Sequence, residues 1–199
     1  MHDQILHRLR QDHRNIEPLL CILNRQFQRL AFEAADYELV ERILIYLADY
    51  PDRYHHPFEE LLMERLRVRR PEASETLITI HEHHVQLASE GVRLQQMLHD
   101  IIVGTPVSRE LLRARGQGYV SLYRQHFRDE ECSLFPRLAE ALTPADWLQV
   151  TTTFQWCLNP LFDDTSTGVY RDLRDRIELE LRTPLPAAGT GYCPHCAEG

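Results

Sequence analysis

Residues 54–63 read Tyr54-His55-His56-Pro57-Phe58-Glu59-Glu60-Leu61-Leu62-Met63, with paired histidines and paired glutamates flanking a proline. Two His-x-x-x-Glu pairs are possible, and either would lie on one face of a helix. Phase separates them. Steps of three and four from His55 meet Leu44, Leu47, Pro51, Phe58, Leu62 and Leu66, whereas the same steps from His56 meet Asp49, Asp52, Arg53, Glu60 and Arg67. His55 and Glu59 therefore face a core, and His56 and Glu60 are expected on a solvated face. Pro57 removes a backbone donor and crowds the carbonyl of Arg53, so a bend is expected there. Pro18, just beyond His13, predicts a second bend.

Outward from this stretch the chain is helical. Leu6, Leu9, Ile16, Leu20, Leu23, Phe27 and Leu30 form one stripe over about 3–31, and His13 falls on it. Similar patterns cover about 37–67, 74–102 and 108–141, joined by short stretches at Ala34-Ala35-Asp36, Arg70-Pro71 and Gly104-Thr105-Pro106. Long helices with short connections predict an all-α, up-down-up-down four-helix bundle over 1–142. Thr143-Pro144-Ala145-Asp146 starts a fifth helix over about 144–158, ended by Asn159-Pro160, and a sixth covers 168–182. These accessory helices occupy 143–182. The Pro, Gly and Ala mixture of 183–199 reads as a flexible tail.

An internal repeat locates the polar residues. An offset of 71 residues lays Leu6 on Leu77, Leu9 on Ile80, Ile16 on Leu87 and Leu23 on Leu94. The same offset lays His13 on His84, His55 on His126 and Glu59 on Glu130. Residues on antiparallel helices lie level when the chain turns midway between them, and the midpoints of His13/His55, His55/His84 and His84/His126 all fall in the connections above. The four histidines thus share a layer, with each glutamate about 6 Å along its helix. Converging imidazoles and carboxylates inside a bundle suit two iron or manganese ions, with Glu59 and Glu130 bridging.

The same residues resemble the hemerythrin-like, or HHE cation-binding, family. The likeness lies in Asp12-His13-Arg14-Asn15-Ile16, in Tyr50-Pro51-Asp52-Arg53-Tyr54-His55-His56-Pro57 followed by Glu59-Glu60, in His84-x-x-Leu87, and in His126-x-x-x-Glu130-Glu131-x-x-Leu134-Phe135-Pro136. It covers about residues 3–141. It implies a carboxylate-bridged, non-haem di-iron centre. By the same likeness, Asp146-Trp147 and Pro160-Leu161-Phe162 resemble the accessory helices of one bacterial subgroup.

The chain departs from the oxygen-carrying members, which are known for five histidines. Their additional third-helix position is Ile80 here. His81 is a candidate fifth ligand, since it shares a face with His84, and His83 is expected at the surface. Glu131 is the alternative to Glu130, because the oxygen carriers use a five-residue spacing. Tyr123, one turn before His126, and Glu17, one turn after His13, are candidate supporting partners of the ligands.

A net charge of −8 offers no basic face for nucleic acid. No run of about 18 apolar residues is present, which excludes a membrane span and, with no leader-like N-terminus, points to the cytoplasm. Five scattered cysteines do not form a disulfide framework, so reduced thiols are expected. Cys193 and Cys196 in Cys-Pro-His-Cys are a candidate redox pair or half zinc site.

Three functions compete. The leading one is a di-iron protein that binds or senses O2, NO or peroxide and is not a dedicated enzyme. The second is an enzyme that consumes peroxide or NO, or donates iron for iron-sulfur repair. The third is an iron-dependent signalling module with a protein partner or a homodimer. Zinc is an alternative metal, but six ligands exceed the four of a structural zinc site.

Overall fold

Helix α1, His2–Arg29, buries the stripe read above and runs unbroken through Pro18. It belongs to a computed structural model that describes residues 2–163 and 168–182. The second helical stretch is divided: α2 spans Tyr37–Asp49, a π-helical turn spans Pro51–His55, and α3 spans His56–Arg69. After a 3-10 turn, α4 spans Ser74–Ile102. The fourth stretch divides like the second, into α5 at Arg109–Asp129, a π-helical turn at Glu130–Leu134 and α6 at Phe135–Ala141. Two accessory helices follow, α7 at Pro144–Thr153 and α8 at Val169–Arg182.

Local chemistry sets the helix starts. The Asp36 carboxylate accepts from the Leu39 N–H and the Ser108 hydroxyl from the Leu111 N–H, each satisfying a first-turn donor. Thr143 and Asp146 form a reciprocal capping box that opens α7. This helix ends at Thr153, short of the expected 158. Thr151, Thr152 and Thr153 are β-branched, and their hydroxyls bond back to the carbonyls of Trp147, Leu148 and Gln149, which weakens helix continuation.

The two π-helical turns have a common cause. His56 N–H donates to the Pro51 carbonyl and Phe135 N–H to the Glu130 carbonyl, each a five-residue span, and each donor precedes a proline, Pro57 or Pro136. A proline clashes with the carbonyl four residues back, and a widened turn just before it relieves that crowding. The bend expected at Pro57 thus takes the form of a π turn beside a candidate ligand.

The four long elements close into a ring, α1 beside α2 and α5, and α4 beside α2, α3 and α5. Helix α8 lies across α1 and α2, and α7 lies against α3. The core falls into two apolar clusters. One holds Ile16, Leu23, Phe27, Ile43, Leu47, Leu87 and Leu94, and the other holds Leu9, Phe58, Leu62, Leu77, Ile80, Leu134 and Trp147. His13, His84, the His55/Glu59 pair and the His126/Glu130 pair occupy the layer between them.

Helices α1 and α5 pack tightly at Gly116, where an added Cβ would overlap the buried ring of Phe27. Gly116→Ala is expected to cost about 1–3 kcal/mol by overpacking, partly offset by alanine's better helix propensity of about 1 kcal/mol. An unchanged urea midpoint would contradict that close contact.

Among the described residues, no helix is long and apolar enough to cross a membrane. Cys132 and Cys157 are free thiols. Cys193 and Cys196 lie outside the described residues.

Candidate metal centre

His55 is carried inward at the end of the first π turn, and Glu59 follows one α-turn later on α3. On the other side of the bundle, His126 closes α5 and Glu130 opens the second π turn. With His13 on α1 and His84 on α4, all six side chains are buried, four of them with no exposure. Burying this many ionisable groups is unfavourable unless they are paired or bind metal.

Their contacts converge on one space. Glu59 Oε1 lies 3.3 Å from His55 Nε2, and Glu59 Oε2 lies 3.5 Å from His84 Nε2. Glu130 Oε2 lies 3.2 Å from His13 Nε2 and 3.3 Å from His126 Nε2, while Glu130 Oε1 lies 3.4 Å from His84 Nε2. Despite these distances, both Glu59 oxygens, Glu130 Oε2 and both ring nitrogens of His126 lack a properly directed hydrogen bond. Adjacent ligand atoms around an ion bonded at ~2.1 Å stand about 3.0–3.4 Å apart. The spacing fits lone pairs aimed at a cation better than it fits hydrogen bonds between side chains.

Two four-membered donor sets result, His13/His55/Glu59/Glu130 and His84/His126/Glu59/Glu130, and within each the ligand atoms lie within 4.8 Å of one another. The carboxylates belong to both sets, as expected of bridging groups.

The outer nitrogens are held from behind. His13 Nδ1 lies 2.8 Å from Glu131 Oε1 and His84 Nδ1 lies 2.7 Å from Glu60 Oε1. His55 Nδ1 lies 3.2 Å from Asp12 Oδ2. A carboxylate accepting from Nδ1–H fixes the tautomer, so that Nε2 offers its lone pair inward. Each Glu-Glu pair thus divides its work: the first glutamate points in and the second holds a histidine across the bundle. The repeat relates both halves of this scheme, since Glu60 and Glu131 are 71 residues apart. Glu60→Ala and Glu131→Ala are each expected to weaken metal affinity about 10–100-fold with helical content retained. Unchanged affinity on titration would remove the orienting role.

Asp12 is itself fixed. Its carboxylate accepts from Tyr50 Oη at 3.1 Å and Asn159 Nδ2 at 3.2 Å, and Asn159 accepts from Tyr46 Oη at 3.1 Å. The segment after α7 therefore reaches His55 through two side chains.

Several expectations are corrected. His56, expected in solvent, is buried and stacked on His84 with ring centres 4.5 Å apart; the wide turn at Pro51–His55 breaks the regular phase on which that expectation rested. His81 lies outside the cluster, its side chain 57% exposed and its Nδ1 3.0 Å from Glu60, while Ile80 takes the buried position beside it. His83, expected at the surface, is only 14% exposed and its ring lies 6.0 Å from that of His126. Glu17 pairs with Arg124 at 2.8 Å, because that guanidinium offers the nearer opposite charge. Glu131 is the outer partner of His13 and Glu130 the inner carboxylate. Tyr123 is buried with its ring 6.3 Å from that of His56 and its hydroxyl without a hydrogen-bond partner.

The electrostatics follow from this layout. Burial opposes protonation of His55, but the Glu59 charge and the Asp12 carboxylate outweigh it and raise the pKa to about 10. His13 and His84 are raised too, against burial, by Glu130 with Glu131 and by Glu130 with Glu59 and Glu60 respectively. His126 is pushed well down by burial and by the charges of His84 and His56. In the metal-free protein the raised His55 value stabilises the fold fully below the unfolded-state pKa of about 6.5, and that contribution is lost as pH rises through about 10. Metal must expel these protons. Affinity for a divalent ion is therefore expected to rise with pH toward about 10, and uptake at pH ~7 to release protons; calorimetry in buffers of differing ionisation enthalpy would contradict this by finding no release.

A bundle whose core is crossed by shared carboxylates and inward-facing imidazoles defines a cation-binding helical protein. The model of the hemerythrin HHE cation binding domain matches residues 4–138, and the chain belongs to that family. No curated protein and no solved structure matches the chain significantly.

Proposed function

We propose that this protein is a non-haem di-iron protein that binds or senses O2, NO or peroxide. The observation that carries the reading is the pair of donor sets sharing Glu59 and Glu130. Two sets with common carboxylates are more than a single structural zinc requires, and mixed imidazole and carboxylate donors suit iron or manganese. When bound, the iron pair would supply redox-active ions able to take a small ligand at an open position. The chain's own part is to hold the histidine tautomers through Glu60, Glu131 and Asp12, and to keep bulk water out with the apolar clusters above and below. A surface groove of about 380 Å³, lined by Asp52, His56, Glu60, His84, Val85 and Ala88, runs along the His84 side of the polar layer.

The test is anaerobic loading with Fe2+, metal counting, and absorption spectra on exposure to O2, NO or peroxide. Two iron ions per chain and new charge-transfer bands are expected. A single zinc ion in the purified protein, or no bands with any of the three, would overturn the reading.

A sensing role is favoured by the Tyr46–Asn159–Asp12–His55 chain of hydrogen bonds. A change at His55 would alter the anchoring of Asn159, in the stretch that follows α7.

A further inference from the structure

We infer that His56 is a third histidine ligand of the ion held by His84 and His126, an inference that rests on the two-ion reading above. The repeated pairs His55/Glu59 and His126/Glu130 do not include this residue. His56 is 4% exposed, and its Nε2 is buried without a hydrogen-bond partner. An unsatisfied buried nitrogen of this kind is unfavourable, and metal ligation would satisfy it.

The geometry is that of three imidazoles around one centre. One ring nitrogen from each of His56, His84 and His126 lies within 4.8 Å of the other two. The ring centres stand 4.5 Å apart for His56/His84, 4.8 Å for His84/His126 and 5.3 Å for His56/His126. Rings whose bonds to one ion, ~2.1 Å long, stand at right angles to one another would have centres about 4.5 Å apart. Asp52 Oδ1 lies 3.1 Å from His56 Nδ1, the position that Glu131, Glu60 and Asp12 hold behind the other histidines.

In the repeat, the mate of His56 is Phe127, whose ring lies beside that of His13 with centres 4.1 Å apart and planes at 16°; the ring of His56 lies beside that of His84 at 4.5 Å and 19°. Both halves therefore place a flat ring against the first histidine, but only one half places a ligating ring with a carboxylate behind it. Packing alone would be met by phenylalanine in both places. The consequence is an unequal pair: three histidines serve the His84/His126 ion and two serve the His13/His55 ion. The open position then falls on the His13 side, where Phe127 and Phe135 wall the ring.

The test uses the full chain loaded with Zn2+, a diamagnetic probe, with 15N-labelled histidine, metal counting and long-range 1H–15N correlation. Two zinc ions and five histidines with one metal-shifted ring nitrogen each are expected, His56 among them. Two zinc ions with His56 unshifted overturn this inference and leave the two-ion reading standing, whereas a chain that takes up fewer than two zinc ions overturns both. His56→Phe copies the Phe127 arrangement; it should retain helicity by circular dichroism and weaken one of the two binding steps at least ~10-fold. Two unchanged steps in a folded variant also overturn the inference, and the spectrum of the unaltered chain decides the matter even if the variant fails to fold.

Discussion

Chelating the metal from the loaded protein is expected to lower its melting temperature by about 15–30 °C. An ion present at about a thousand times its dissociation constant stabilises the folded state by about 4 kcal/mol, so two contribute about 8 kcal/mol. In a chain of 199 residues, each kcal/mol shifts the melting temperature by about 2–4 °C. The physical origin is the polar layer between the two apolar clusters. Without metal, the Glu59 oxygens and the His126 nitrogens are buried without directed hydrogen bonds, and the raised histidines hold protons inside the core. A bound metal would replace the unsatisfied contacts of the Glu59 carboxylate and of one His126 nitrogen by bonds. Differential scanning calorimetry with and without chelator measures the shift, and a difference of only a few degrees would mean that the layer is satisfied without a cation.

Much of this layer is legible in the amino-acid sequence. The 71-residue offset aligns apolar and polar positions together, which no random spacing of histidines would do, so His13, His55, Glu59, His84, His126 and Glu130 emerge as one set. Helix existence is equally legible, because apolar periodicity over long stretches leaves little choice. What escapes is what periodicity cannot carry. A phase count assumes about 100° per residue, and the π turn at Pro51–His55 breaks that count at the position where His56 should be placed. Pro57 carries the signal, but it reads as a bend and not as a specific change of turn. The outer carboxylates escape for another reason: Glu60 and Glu131 act across the bundle on His84 and His13, and such partners become visible only when the helices are assembled. Asp12 and Asn159 meet from opposite ends of the chain. Nothing local to either residue announces the other.

The second large effect separates the shared carboxylates from everything around them. Glu130→Gln is expected to impair binding of both ions, because Glu130 belongs to both donor sets, whereas His13→Ala should impair one. The amide nearly preserves the volume of the side chain but removes the charge that faces His13 and His84. In the metal-free state that loss leaves two buried histidines less well compensated; breaking a buried pair in this way costs about 3–5 kcal/mol, or about 6–20 °C in melting temperature for a chain of this size. The variant should therefore melt lower than the unaltered protein even in chelator, and should gain little on adding metal. Glu131→Ala is the control: its side chain is 40% exposed and pairs with the outer nitrogen of His13, so it should still take up two ions at reduced affinity. The two variants reverse their order if the spacing alternative is correct and Glu131 turns inward on metal binding. Stoichiometry decides between them, because a Glu130→Gln protein that still holds two ions would transfer the bridging role to Glu131.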